Sequence, residues 1–135
     1  MCMQEMKIVL GENLKVEAHY KGFKILTDQP SSDGGDNSAP SPFDLFLASV
    51  GACAGYYVKA YCRQRGISEQ GIHLTQTMHR DRDSKMISRI EINIVLPPDF
   101  PRQHIQSVVR AAEACTVKKH IAAAPGFVLN TTMAE

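Results

Sequence analysis

A chain of 135 residues and 14.9 kDa has the size of one domain, residues 1–135, and is too small for two independent cores. Folded compactly it would expose roughly 7,000 of about 21,600 Å2, enough burial for a core without disulfide or metal staples. Fifteen Lys and Arg against fourteen Asp and Glu leave a net charge of +1, which removes the electrostatic basis for a nucleic-acid or anionic-membrane partner, and 44% apolar residues argue against disorder.

The N-terminal third has the period of two that belongs to antiparallel strands. Lys7–Leu10 is a short, mostly apolar run, residues 11–13 read as a turn, and Leu14, Val16, Ala18 and Tyr20 alternate with Lys15, Glu17, His19 and Lys21. Phe23–Thr27 follows Gly22 as a third strand. Residues 28–40 gather Ser, Asp, Gly and Asn around two prolines, which predicts a surface loop without a packed element, long enough to carry function or cover a site. Gly34-Gly35 is followed by neither a lysine nor a helix start, so it is no phosphate-binding motif.

Ser41-Pro42-Phe43-Asp44 opens a helix, with a serine at the N-cap, a proline at the first helical position and Asp44 as the acidic member of a capping box. The pattern continues through Leu45, Phe46, Leu47, Val50, Cys53, Tyr57, Val58 and Tyr61 to Arg63 and Arg65, where Gly66 offers a C-terminal cap. Its first turns are apolar nearly all the way round, which predicts enclosure on most sides. The apolar stretch Leu45 to Val58, interrupted by Ser49, Gly51 and Gly55, falls short of the roughly 18 to 20 residues of a membrane span. Gly51 and Gly55, one turn apart, predict a close crossing by a second helix.

Two strands follow, 71–79 and 86–96, joined by a charged loop. Ile72, Leu74 and Met78 face one way in the first, and Ile90, Ile92, Ile94 and Leu96 in the second. Pro97-Pro98 ends the sheet. A helix from about Pro101 carries Ile105, Val108, Val109, Ala112 and Cys115 on one face, Thr116 is placed to cap a short helix reaching Ala124, and Phe127–Thr131 reads as a last strand.

Cysteines stand at 2, 53, 62 and 115, too irregularly for a disulfide framework or zinc, and no secretory signal is visible, so the chain reads as cytoplasmic with reduced thiols. Taken singly, each cysteine fits a small core hydrophobe better than a nucleophile. Cys115 has the better local setting, because it precedes a short helix bearing Lys118, Lys119 and His120, and both a helix N-terminus and nearby cations favour thiolate. Cys53 gets no such help from its own helix and needs a cation from elsewhere. Cys2 reads as exposed and incidental and Cys62 as packing. Among the histidines only His120 is placed to act; His19, His73, His79 and His104 fit surface or rim positions.

Ser41-Pro42-Phe43-Asp44-Leu45-Phe46-Leu47-Ala48-Ser49-Val50-Gly51-Ala52-Cys53 resembles the signature helix of the OsmC/Ohr family, the osmotically inducible and organic-hydroperoxide-resistance proteins. Cys115-Thr116-Val117-Lys118-Lys119-His120-Ile121 is similar to the second half of that signature, and the likeness covers nearly the whole chain. The resemblance implies an α+β, OsmC-like fold, with antiparallel sheets around a long buried central helix, in an intertwined homodimer whose sites lie at the subunit interface. It implies that Cys53 is a peroxidatic thiol, that Cys115 resolves its sulfenic acid as a disulfide, and that a dithiol, typically a lipoyl group, resets the pair. The implied activity is cofactor-free, Cys-dependent reduction of organic hydroperoxides in oxidative-stress defence. No metal, nucleic-acid or membrane partner is implied. Asp44 stands where members carry a glutamate. Members also use an arginine from the N-terminal strands, but residues 1–62 contain none; Lys21 and Lys24 are the available substitutes, as point charges without the planar guanidinium fork. Thr116 replaces a common proline, and the OsmC-like branch is the one this chain looks closest to. The alternative is a non-catalytic homodimer of the same fold that binds a small ligand.

Overall fold

The computed structural model describes residues 3–134, so Cys2 lies outside the described residues. It divides into two compact units, residues 1–48 and 49–135. In the first, β1 (Lys7–Leu10), β2 (Val16–Tyr20) and β3 (Phe23–Thr27) form an antiparallel sheet in the order β1-β2-β3. The β2–β3 turn has positive φ at both central residues, 52° at Lys21 and 80° at Gly22, the backbone of a hairpin turn whose twist suits the strands. The register sets Ile8 opposite Ala18 and Ala18 opposite Ile25, with Tyr20 opposite Phe23, so one face of the sheet is apolar. Ile8, Leu10 and Phe23 on that face are exposed in the single chain.

The segment after β3 corrects the expectation of a loop without packing. Asp28 is fully buried. Its carboxylate accepts hydrogen bonds from the Gln29 amide at 2.8 Å, the Ser38 amide at 3.0 Å and the Ser38 hydroxyl at 2.6 Å. These bonds hold its carboxyl far below the usual range. The Asp28 amide reaches the Pro40 carbonyl at 3.1 Å, which closes the loop at its base. Composition gave the exposure of the serines and glycines but not this internal carboxylate, which does for the loop what a packed side chain does elsewhere.

The long helix α1 (Pro42–Gln64) begins in the first unit and runs through the second. Its ends follow the sequence. The Ser41 hydroxyl accepts the Asp44 amide at 3.1 Å, and at the other end Ile67 and Gly66 donate to the Cys62 and Arg63 carbonyls at 2.9 and 3.4 Å, with Gly66 at φ +66°, a Schellman cap. In the second unit β4 (His73–Arg80) and β5 (Ile87–Val95) form an antiparallel hairpin with a register shift at His79/Arg80. A short 3-10 turn then leads into α2 (Ile105–Glu113), and α3 (Thr116–Ala122) follows. The core gathers Val58 and Cys62 of α1 with Phe100, ahead of α2, and Val108 of α2, flanked by Ile72, Ile94 and Ala112.

Three expectations are corrected here. The element beside Gly51 and Gly55 is strand β4, not a helix: a Cβ at Gly51 would stand 2.4 Å from the Gln76 Oε1 and one at Gly55 3.9 Å from Leu74. Gln76 pairs with Ile92 on the apolar face of the hairpin, and the missing side chain at 51 makes room for it. Phe127–Thr131 forms no strand among the described residues, and Phe127, Val128 and Leu129 are exposed with no strand beside them. Enclosure of α1 is one-sided in a single chain. Val50, Ala54, Val58 and Cys62 are buried, whereas Phe43, Phe46 and Tyr56 are 48%, 41% and 62% exposed. At 23 residues, α1 is also longer than its unbroken apolar stretch suggests. By length and composition alone it is sufficient to cross a membrane.

Candidate thiol site

Cys53 sits midway along α1 and is half-buried. Cys115 sits at the N-cap of α3 and is almost fully buried. The fold brings the two together: the Cys115 thiol donates to the Val50 carbonyl at 3.9 Å, one turn before Cys53 on α1. Both thiols are free.

Burial alone pushes the Cys53 thiol up. Against it act the Val117 amide, the Cys115 thiol and the Thr116 amide, and the net shift is downward. Cys62 is the contrast, since burial and the nearby Glu69 charge push its thiol up, as suits packing in the core. The described residues that hold Cys53 low are thus amides and a thiol rather than a cation.

The sequence did not show that the N-terminus of α3 also serves Cys53, which approaches its free amides from α1. Sequence pattern alone ties a helix end to its own neighbours in the chain and is blind to a side chain arriving from another element. Thr116 is likewise not the cap but the first residue of α3. Its hydroxyl meets the Tyr57 hydroxyl at 2.8 Å, a contact that the sequence reading did not foresee.

The remaining candidates take other positions. His120 spends its Nδ1 on the Thr116 carbonyl of its own helix at 2.8 Å, so that nitrogen carries the proton and donates. His104 bonds the Tyr61 hydroxyl at 2.7 Å in a half-buried position. Asp44 is exposed on the first turn of α1. In the N-terminal sheet, Lys24 lies 3.9 Å from Glu17, and the Lys21 ammonium lies 5.1 Å from the centre of the Tyr20 ring. A cavity of about 470 Å3 opens beside Cys115, walled by Val50 and Ala54 of α1, Ile90 and Ile92 of β5 and Val109 of α2, with Lys118 at its rim. No group of residues suited to hold a metal occurs among the described residues.

Comparison with known proteins places these features in a family. A family model described as OsmC-like protein matches residues 35–130, which include both cysteines. No curated protein matches the chain. Among solved structures, a Psychrobacter arcticus protein provisionally named as osmotic stress induced and detoxification response is 23% identical, with a TM-score of 0.73 over 88% of each chain. An OsmC-like protein of Mycoplasma pneumoniae is 14% identical, with a TM-score of 0.69 over 91% of this chain and 89% of that one. An organic hydroperoxide resistance protein OsmC of Legionella pneumophila is 20% identical, with a TM-score of 0.54 over 90% of each. At these identities the structures establish a shared α+β fold with antiparallel sheets, and the family match carries the assignment: the chain belongs to the OsmC/Ohr family.

Proposed function

We propose that the protein is a single-domain, Cys-dependent hydroperoxide reductase of the OsmC-like branch, acting in oxidative-stress defence. The observation that carries this reading is the placing of the Cys115 thiol one turn from Cys53, on the Val50 carbonyl at 3.9 Å, with the Cys53 pKa lowered by two backbone amides and by that thiol. A thiolate is the nucleophilic form of cysteine, and a thiol at its side can trap its oxidised form.

In the reaction, the Cys53 thiolate attacks the terminal oxygen of the hydroperoxide. The O–O bond breaks, the alkoxide leaves and takes up a proton as alcohol, and sulfur is oxidised to sulfenic acid. Cys115 then attacks that sulfur, the Cys53–Cys115 bond forms, and hydroxide leaves as water with the Cys115 proton. An external dithiol, of which a lipoyl group is one chemical form, reduces the disulfide by exchange and becomes a disulfide itself. Asp44, on the first turn of α1, takes the place of the family glutamate.

The working species is a cytoplasmic homodimer. Ile8, Leu10, Phe23, Phe43, Phe46 and Tyr56 are exposed in one chain, and apolar faces of this kind mark surfaces that a partner covers. The activity is tested by organic hydroperoxide consumption with a dithiol reductant. Cys53→Ser abolishes turnover and Cys115→Ser abolishes the disulfide intermediate; undiminished turnover in Cys53→Ser overturns the proposal.

A further inference from the structure

We infer that Tyr57 and Thr116 are positioning residues for Cys53: the bond between their hydroxyls holds the first turn of α3 where its free amides face the sulfur. The inference rests on the reading of Cys53 as the nucleophile. Tyr57 stands one turn after Cys53 on α1, so both side chains rise from one side of that helix. Its hydroxyl lies 2.8 Å from Oγ1 of Thr116, the first residue of α3. The amides of Thr116 and Val117 belong to the opening turn, whose N–H groups have no helical acceptor, and they are the two amides that act on Cys53.

Something outside α3 has to hold them there. The helix has seven residues, and its N-cap residue makes no side-chain capping bond, so by itself it is too short to resist fraying. Among the described residues, two side-chain hydrogen bonds join its start to α1. One is the Cys115 thiol on the Val50 carbonyl at 3.9 Å, a weak donor whose proton leaves when the disulfide forms. The other is the hydroxyl pair, which no redox step alters. It is the tether that persists through reduced and oxidised states, anchored at one end beside Cys53 and at the other on a residue that supplies an amide.

The test is alkylation of Cys53 by iodoacetamide as a function of pH, followed on its own peptide by mass spectrometry in the reduced full-length protein. Thr116→Pro removes the hydroxyl and one amide together. Proline suits the first helical position, and Cys115 at ψ 124° already has the extended backbone that precedes proline. The reactive fraction of Cys53 at neutral pH is expected to fall about tenfold in Thr116→Pro and about threefold in Tyr57→Phe and Thr116→Val, the scale of lost hydrogen bonds to a charged group and between neutral ones. Thr116→Ser, which restores the hydroxyl, is expected to keep the original profile. Thermal melts exclude loss of fold, and Tyr57→Phe, which leaves α3 chemically intact, decides the matter if Thr116→Pro is unfolded. A Cys53 profile unchanged in Thr116→Pro and Tyr57→Phe overturns the inference while leaving the proposed reaction standing. An ordinary thiol profile in the unsubstituted protein overturns both.

Discussion

The thiol of Cys115 at the start of α3 donates to the Val50 carbonyl at 3.9 Å, one turn before Cys53 on α1. That contact sets the Cys115 thiol beside Cys53, where it is one of the groups that favour the ionised sulfur. Cys53 is thereby favoured as an anion with a second thiol at its side, the arrangement that attack followed by resolution requires.

The first consequence is a pH dependence. Because the folded pKa of Cys53 lies below its ordinary value, its thiolate persists below the roughly pH 8.5 at which a free cysteine ionises. The rate of the first oxidation step is expected to hold through neutral pH and to fall on acidification through the lowered pKa. The linked stability has the same sign: present above the unfolded pKa, and lost as pH falls through the folded one. A rate that climbs only above about pH 8 contradicts this.

A second concerns the loop at Asp28. Three donors converge on its two oxygens, and Asp28→Asn turns an amide NH2 toward at least one of them. The variant is expected to melt several degrees lower than the parent. It is also expected to lose part of the parent's acid sensitivity, since the depressed pKa of Asp28 gives stability that is present above about pH 4, the unfolded value, and lost below it. Identical melting of the two proteins from neutral to acid pH would count against the loop as a structural element.

The two helical glycines separate propensity from packing. Gly55→Ala places its methyl at ordinary contact distance from Leu74 and is expected to stabilise by about 0.5–1 kcal/mol. Gly51→Ala gains the same propensity but displaces the Gln76 amide, so it is expected to fall short of Gly55→Ala in chemical denaturation. The reverse order would show that β4 does not lean on α1 at residue 51.

Much of this was legible beforehand. The strand alternation, the Ser41 cap and the Gly66 terminator are local signals, and local signals fixed the elements to within a few residues. What escaped was nonlocal. Asp28 read as loop composition because its partners are backbone amides and a serine in its own loop. The helix crossing expected at Gly51 proved to be a strand because a glycine pair reports closeness without naming the neighbour. Phe127–Thr131 has strand chemistry but no adjacent strand, and pattern cannot supply one. At the candidate site, the motifs singled out Cys53 and Cys115, whereas the approach of the α3 amides to Cys53 required the packing of two helices.

The dimer gives a fourth expectation. Phe43 and Phe46 stack on each other at 5.7 Å between ring centres while remaining exposed. Sedimentation is expected to give twice the chain mass, and Phe46→Asp to shift it toward the single chain. A parent protein that sediments as one chain at micromolar concentration removes the dimer from the proposal.

The central claim is that Cys53 and Cys115 act as one redox pair. Its most direct measurement is mass spectrometry of the reduced protein after one equivalent of an organic hydroperoxide, without reductant. The expected product lacks two hydrogens and yields a proteolytic fragment that joins Cys53 to Cys115, and in Cys115→Ser the oxidation stops at a sulfenic acid on Cys53. A peroxide-treated protein in which both residues remain free thiols would contradict it.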